Sequence, residues 1–379
     1  MKLIGNIVAP AAARHGFVEW ENDRIVRVEL EGEIRPDGPW ILPGFIDLHL
    51  HGTGEWMVEG GRRHLAGMAA YAAEKGMTRF TPAYASGPRD ETVEWLRTVR
   101  SLVNDPPPGA LIAGAHLEGP WLSRRFGGGM NAVMLRPPDT AEAQEYLDAA
   151  GGTLRLVTLA PELPGAPEVI RLLKANGVTV SIGHSACPPE RFAEAVDEGI
   201  SQACHLFDAW EPPVNEHGVR QPAVTDLVLI EDRVMKEIIM DGLHVPPPLV
   251  KLALRAAGAD HILAITDSLQ GAGLPEGRFM DSGRPYVIRD GELARLEATG
   301  TIVGSSLTMN RAFFNMTTRF GFTETEAVKC LSTNPAKQIG LAGVTGELRP
   351  GLAADLAVLE PDRLTVRSTW LAGRQIYGA

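Results

Sequence analysis

Residues 178–207 read VTVSIGHSACPPERFAEAVDEGISQACHLF. Two short apolar runs, VTVSIG and ISQACHLF, flank PERFAEAVDEG, a stretch of helical period that stops at Gly199, a common helix terminator. Strand, helix, strand is the βα repeat from which parallel sheets are built. Each strand ends on a histidine, His184 in the first case and His205 in the second.

The same texture extends both ways along the chain. Further strand candidates are ILPGFIDL, MTRFTPAY, LIAGAHL and LRLVTLA upstream, with EIIMDG and HILAIT downstream. Between them lie helix candidates such as RRHLAGMAAYAAEKG, ETVEWLRTVRSLV, APEVIRLLKANG and PPLVKLALRAAG. Eight strands in this alternation predict an α/β fold, a (β/α)8 barrel over residues 44–344. The two ends differ: VEWENDRIVRVEL alternates apolar and polar residues, and DLAVLE and LTVRSTWLAGRQIY repeat that pattern. Residues 1–43 and 345–379 are therefore expected to pair into one small discontinuous β-sandwich domain.

Bulk properties narrow the function classes. The chain has 379 residues, 44% of them hydrophobic, and a formal net charge of -11. That charge disfavours nonspecific binding to nucleic acid or an anionic membrane. Cys187, Cys204 and Cys330 are scattered without CxxC spacing, so they are expected to be small buried residues in a reducing compartment. The N-terminal MKLIGNIVAPAAARHGF lacks a long apolar core, which makes the cytoplasm the expected location.

In (β/α)8 barrels the chemistry sits where strands end and βα loops begin. His49 and His51 follow the first strand candidate, Glu118 the third and His184 the fifth. His205 closes the sixth, His244 follows the seventh and Asp267 ends the eighth. His49 and His51, two apart, point to one face and can grip a divalent ion, with Asp47 on the same face as a supporting partner. Glu118, His184 and His205 form a set of one carboxylate and two imidazoles, known from catalytic zinc. A bridging water between two ions would be a nucleophile. Asp267 can take that water's proton and pass it to a leaving amine. His244 is placed to hold a substrate oxygen. His64, His116 and His261 are expected to be ordinary core or surface histidines.

The ordered motifs PGFIDLHLHG, HLEGPWL, SIGHSA, CHLFDAW, MDGLHV, TDSLQGAGLPEG, GSSLTM, TNPAKQIGL and GELRPGLAADLAVL resemble the N-acetylglucosamine-6-phosphate deacetylases of the amidohydrolase superfamily nearly end to end. The resemblance implies a homodimeric enzyme that removes an acetyl group from an amino sugar phosphate, N-acetylglucosamine 6-phosphate or a related N-acetyl amino sugar. It implies one or two divalent ions per subunit, zinc first, with iron, manganese or cobalt as alternatives. Glu118, His184 and His205 match the principal metal ligands, with His49 and His51 available to a second ion. Asp267 matches the catalytic acid/base and His244 a substrate contact.

Three departures bear on substrate. The family's HLFNAM reads His205-Leu206-Phe207-Asp208-Ala209-Trp210 here, so Asp208 brings a negative charge to a sugar-phosphate contact. Its GxH reads Gly128-Gly129-Met130, replacing a polar contact with a thioether. The arginine that reaches a neighbouring subunit's phosphate aligns with Arg220. Together these predict an unphosphorylated or differently substituted N-acetyl amino sugar. RRFGGGMN, from Arg124 to Asn131, is either a lid carrying cations to an anionic substrate or a solvated loop. The competing functions are a deaminase or cyclic-amide hydrolase on the same site, and a non-catalytic sugar-binding barrel.

Overall fold

The computed structural model describes residues 1–281, 283–289 and 291–378. Eight parallel strands form the barrel: β1 (Phe45–Leu50), β2 (Met77–Ala85), β3 (Ala115–Glu118), β4 (Leu154–Leu159), β5 (Thr179–Ile182), β6 (Ile200–Ala203), β7 (Met235–Ile239) and β8 (Ile262–Ile265). The ring closes between β8 and β1. There the Asp267 amide donates to the His49 carbonyl at 2.9 Å, and the His51 amide to the Ser268 carbonyl at 2.8 Å. Closure removes the edges that an open sheet would expose, and it brings the first and last candidate site residues together.

Two strand candidates are each split in the structure. Trp40–Pro43 belongs to the terminal sheet and only Phe45–Leu50 to the barrel. The break falls at Gly44, where a Cβ would lie 2.2 Å from the Thr78 side chain. Likewise Leu111–Ile112 pairs with β2 by itself before β3 begins. Between the two pieces Gly114 has φ 142°, and a Cβ there would lie 2.4 Å from the Thr153 carbonyl. Only glycine fits both the torsion and the space.

Helices cover the barrel's outside. Arg89–Asn104 turns Val93, Leu96, Val99 and Leu102 inward at helical spacing. Three features were not read from sequence. Thr140–Ala150 is a helix capped by Asp139, whose side chain accepts from the Glu142 amide at 2.8 Å. Met309–Asn315 opens a helical run after β8. Between them in sequence, Gly277–Asp281, Arg284–Ile288, Ala294–Leu296 and Ile302–Gly304 make a four-stranded antiparallel sheet inserted after β8. Among the described residues, no helix is long and apolar enough to cross a membrane.

Strands from both chain ends share one seven-stranded sheet, in which Leu356–Leu359 lies beside Trp40–Pro43. Its core holds Ile7, Val18, Trp20, Ile25, Ile41 and Leu356. A buried ion pair ties it to the barrel: Arg79 of β2 meets Asp355. Asp355 also accepts from the Thr345 hydroxyl at 2.6 Å and the Ala372 amide at 2.8 Å. Removing one partner of a buried pair strands the other charge. Arg79→Leu should therefore lower the unfolding free energy by roughly 3–5 kcal/mol, read as a lower denaturant midpoint.

Candidate metal centre

Four imidazoles and two carboxylates meet at the strand ends. Glu118 at the end of β3 is central: its Oε1 lies 3.1 Å from His184 Nε2 and 2.9 Å from His205 Nε2, and its Oε2 lies 3.2 Å from His51 Nε2. Asp267 Oδ1 lies 3.2 Å from His51 Nε2 and 3.6 Å from His49 Nε2. Two ligand-competent groups result, Glu118–His184–His205 and His49–His51–Asp267. A third grouping, His49–Glu118–Cys204, brings in a thiol. Burial raises the Cys204 pKa, against the pull of His205 and His49.

The outer nitrogens decide what the inner ones can do. His49 Nδ1 faces Glu237 Oε2 at 3.1 Å, and His51 Nδ1 faces the Ala83 carbonyl at 2.8 Å. His184 Nδ1 faces the Phe126 carbonyl at 2.8 Å, and His205 Nδ1 the Asp208 carbonyl at 3.1 Å. Carbonyls and carboxylates only accept, so each Nδ1 carries the proton and donates it. A ring held in this way, when neutral, presents its Nε2 lone pair inward. These lone pairs approach each other to 3.3 Å in His49–His51 and 3.1 Å in His184–His205. Bare acceptors so close, facing two carboxylates, repel unless a cation lies among them. The donor set fits a divalent ion.

Titration shows the same demand for positive charge, met by protons on the rings when no ion is bound. Burial opposes charge on His49, His51 and His205, yet the groups around them raise all three: Cys204 and Glu118 for His49 and His205, Asp267 and Glu118 for His51. Burial also opposes charge on Glu118 and Asp267, yet the facing histidines hold both below the usual carboxylate range. The cluster favours positive charge at its centre.

Backbone torsions at the site are unusual for L residues. φ is 49° at His184, 20° at His205 and 48° at Asp267, the points where strands turn into loops. Such torsions cost on the order of 1–3 kcal/mol each and persist where neighbours fix them. The His184 carbonyl accepts from the Ser123 amide at 2.9 Å, and the Asp267 carbonyl from the Ser305 amide at 2.8 Å. The His205 amide donates to Glu237 at 3.2 Å.

Glu237 thus supports two of the histidines, and Gln202 Nε2 holds its other oxygen at 2.6 Å. It was missed in the sequence; a carboxylate inside the apolar run of β7 was the available signal. The supporting role expected of Asp47 is not what it does. Asp47 accepts from the Thr266 hydroxyl at 2.6 Å and the His49 amide at 3.2 Å, joining β1 to β8 without reaching a histidine ring. Burial pushes its carboxyl up to about 7. His116 is a core histidine as expected, held between the Leu48 carbonyl and the Thr158 hydroxyl.

A cavity of about 780 Å³ opens beside the cluster, lined in part by Gly129, Met130, Asp208, Ala209 and the inserted sheet. His244 Nδ1 is bound to Asp241 at 2.6 Å, and its buried Nε2 has no partner. Arg124, Arg125 and Arg220 are not among the residues lining this chain's own cavity, and Arg220 is the one expected to reach a neighbouring subunit. Arg220 is exposed on the hairpin Asn215–Glu216/Val219–Arg220 and pairs with Asp226 at 2.9 Å. In the glycine-rich loop, Arg125 pairs with Glu211 at 2.8 Å and Arg124 donates to the Leu135 carbonyl at 2.9 Å. That loop reaches the site through its Phe126 carbonyl on His184.

Known proteins share this architecture. The Amidohydrolase family profile matches residues 306–377. The N-acetylglucosamine-6-phosphate deacetylase of Lysinibacillus sphaericus is 33% identical over 91% of this chain and 87% of its own. The N-acetylgalactosamine-6-phosphate deacetylase of Escherichia coli O157:H7 is 31% identical over 89% of this chain and 88% of its own. The crystal structure of N-acetyl-D-glucosamine-6-phosphate deacetylase from Mycobacterium smegmatis superposes with a TM-score of 0.90, at 29% identity and 100% coverage of both chains. On these similarities, the chain belongs to the N-acetylglucosamine-6-phosphate deacetylase family of the amidohydrolase superfamily.

Proposed function

We propose that this enzyme hydrolyses the N-acetyl amide of an amino sugar, releasing acetate and a free amine. The observation that carries the reading is the convergence of four Nε2 atoms on Glu118 with Asp267 beside them. A cavity of about 780 Å³ is of the size that takes a small ligand. The relatives' names supply the N-acetylhexosamine part of the reading.

Glu118, His184 and His205 would hold the principal ion, and His49 and His51 a second, with the Glu118 carboxylate facing both. Imidazole and carboxylate ligands suit zinc, and also iron, manganese or cobalt. A bound divalent ion supplies a Lewis acid that acidifies water and polarises the acetyl carbonyl. Asp267 takes the proton of the attacking water and delivers it to the departing nitrogen. The unpartnered Nε2 of His244 holds a substrate oxygen, with its ring fixed by Asp241. Asp208, Ala209, Gly129 and Met130 contact the sugar.

A homodimer belongs to the same reading. Its support is the exposed apolar side chains Val214 and Val219 of the hairpin, Leu243, and Leu249 and Leu252 of helix Pro247–Ala257, with Arg220 on that hairpin. Three buried unpaired cysteines suit a reducing cytoplasm.

Acetate release from N-acetyl amino sugars by metal-loaded protein tests the reaction; ammonia release instead would contradict it. Asp267→Asn should keep the ion at Glu118, His184 and His205 while kcat falls by roughly 10²–10⁴-fold. Elemental analysis should find that Glu118→Ala loses metal altogether. The double variant His49→Ala/His51→Ala should keep about one ion per subunit.

A further inference from the structure

The four histidines of the metal centre do not have equivalent outer partners. His51, His184 and His205 direct Nδ1 at neutral backbone carbonyls, those of Ala83, Phe126 and Asp208. His49 alone directs it at a carboxylate, Glu237 Oε2, at 3.1 Å. The Cys204 thiol is a more distant neighbour of the same nitrogen, at 3.7 Å. Glu237 is fully buried on β7, and among the described residues it forms no ion pair with a lysine or arginine.

A buried carboxylate is costly unless hydrogen bonds and positive charge offset it. Three donors supply the hydrogen bonds: the His49 ring, the His205 amide at 3.2 Å and Gln202 Nε2 at 2.6 Å. The Gln202 bond carries a cost of its own. With Nε2 turned to Glu237, its buried Oε1 has no partner, and that orientation is the one an acceptor-only carboxylate requires. Positive charge reaches Glu237 through His49. A cation on Nε2 makes the Nδ1 proton a stronger donor, and the carboxylate in return makes the ring a better ligand. The contact with His205 differs in kind, because Glu237 meets that residue's backbone amide and leaves its ring to the Asp208 carbonyl.

We infer that Glu237 is a positioning residue specific to the His49–His51 site, and that it makes this site a second metal site, filled in the working enzyme. The inference deepens the deacetylase reading, on whose assignment of ligands to two ions it rests. Its carrying observation is the asymmetry of the outer shell: one carboxylate, aimed at one ring, in a set otherwise held by carbonyls.

Titration of zinc into metal-free full-length protein against a competing chelator, with elemental analysis of the loaded form, tests it. The unsubstituted protein should take about two ions per subunit, the second being the one that His49→Ala/His51→Ala lacks. Glu237→Gln keeps the side chain's size and removes its charge, and the Gln202 amide can turn over to meet it. In that variant the second ion should bind roughly 10–100-fold more weakly, while the first changes by less than about threefold. Gln202→Leu, which releases Glu237 on one side, should show the same split to a smaller degree, and it decides the matter if Glu237→Gln does not fold. Equal weakening of both ions, which a merely structural role would produce, overturns the inference. So does an unchanged second ion, or a single ion per subunit in the unsubstituted protein at saturating zinc. Acetate release from N-acetyl amino sugars is scored separately. Two ions with the expected split but no acetate would sink the deacetylase reading alone, and acetate release by a one-ion protein would sink this inference alone.

Discussion

Everything at the barrel rim depends on one electrostatic constraint. Acceptor atoms that would repel one another are forced together because their protons are held on the far side of each ring. The Nδ1 atoms of His49, His51, His184 and His205 all donate outward, to Glu237, Ala83, Phe126 and Asp208. Their Nε2 atoms are left bare against Glu118 and Asp267. Only positive charge stabilises such an arrangement, and a fixed divalent ion does so at neutral pH without protonating its own ligands.

The fold meets that demand through backbone rather than side-chain freedom. Closure of β8 onto β1 runs through the backbone of His49 and Asp267, so barrel and site are joined by the same hydrogen bond. The positive φ values at His184, His205 and Asp267 are fixed from several sides, by Ser123, Glu237 and Ser305. Three loops and a buried strand carboxylate therefore share the work of aiming the ligands. Rigid support of this kind is what holds ligand atoms in position before an ion arrives.

The parts of this design differ in how plainly the sequence shows them. His49, His51, Glu118, His184, His205 and Asp267 were readable because short apolar runs end on or just before them, and strand ends in a barrel share one rim. The parallel barrel was readable for the same reason, as a repeat of local patterns. What depends on contacts distant in sequence was not. Glu237 serves His49 across 188 residues, and Arg79 meets Asp355 across 276. The split strands at Gly44 and Gly114 follow from close approach to Thr78 and Thr153, which no local pattern announces. The inserted sheet has four strands of three to five residues, and its apolar runs, such as Tyr286–Ile288, are too brief to mark it. Yet that sheet supplies Arg284 and Asp281 to the cavity's lining.

The most direct test of the constraint is anomalous diffraction at the metal edge from zinc-loaded crystals. The account predicts an ion about 2.0–2.2 Å from Glu118 and from the Nε2 atoms of His184 and His205, with every Nδ1 still bound to its acceptor. An ion held through an Nδ1 atom, or no ion within reach of Glu118, would contradict it.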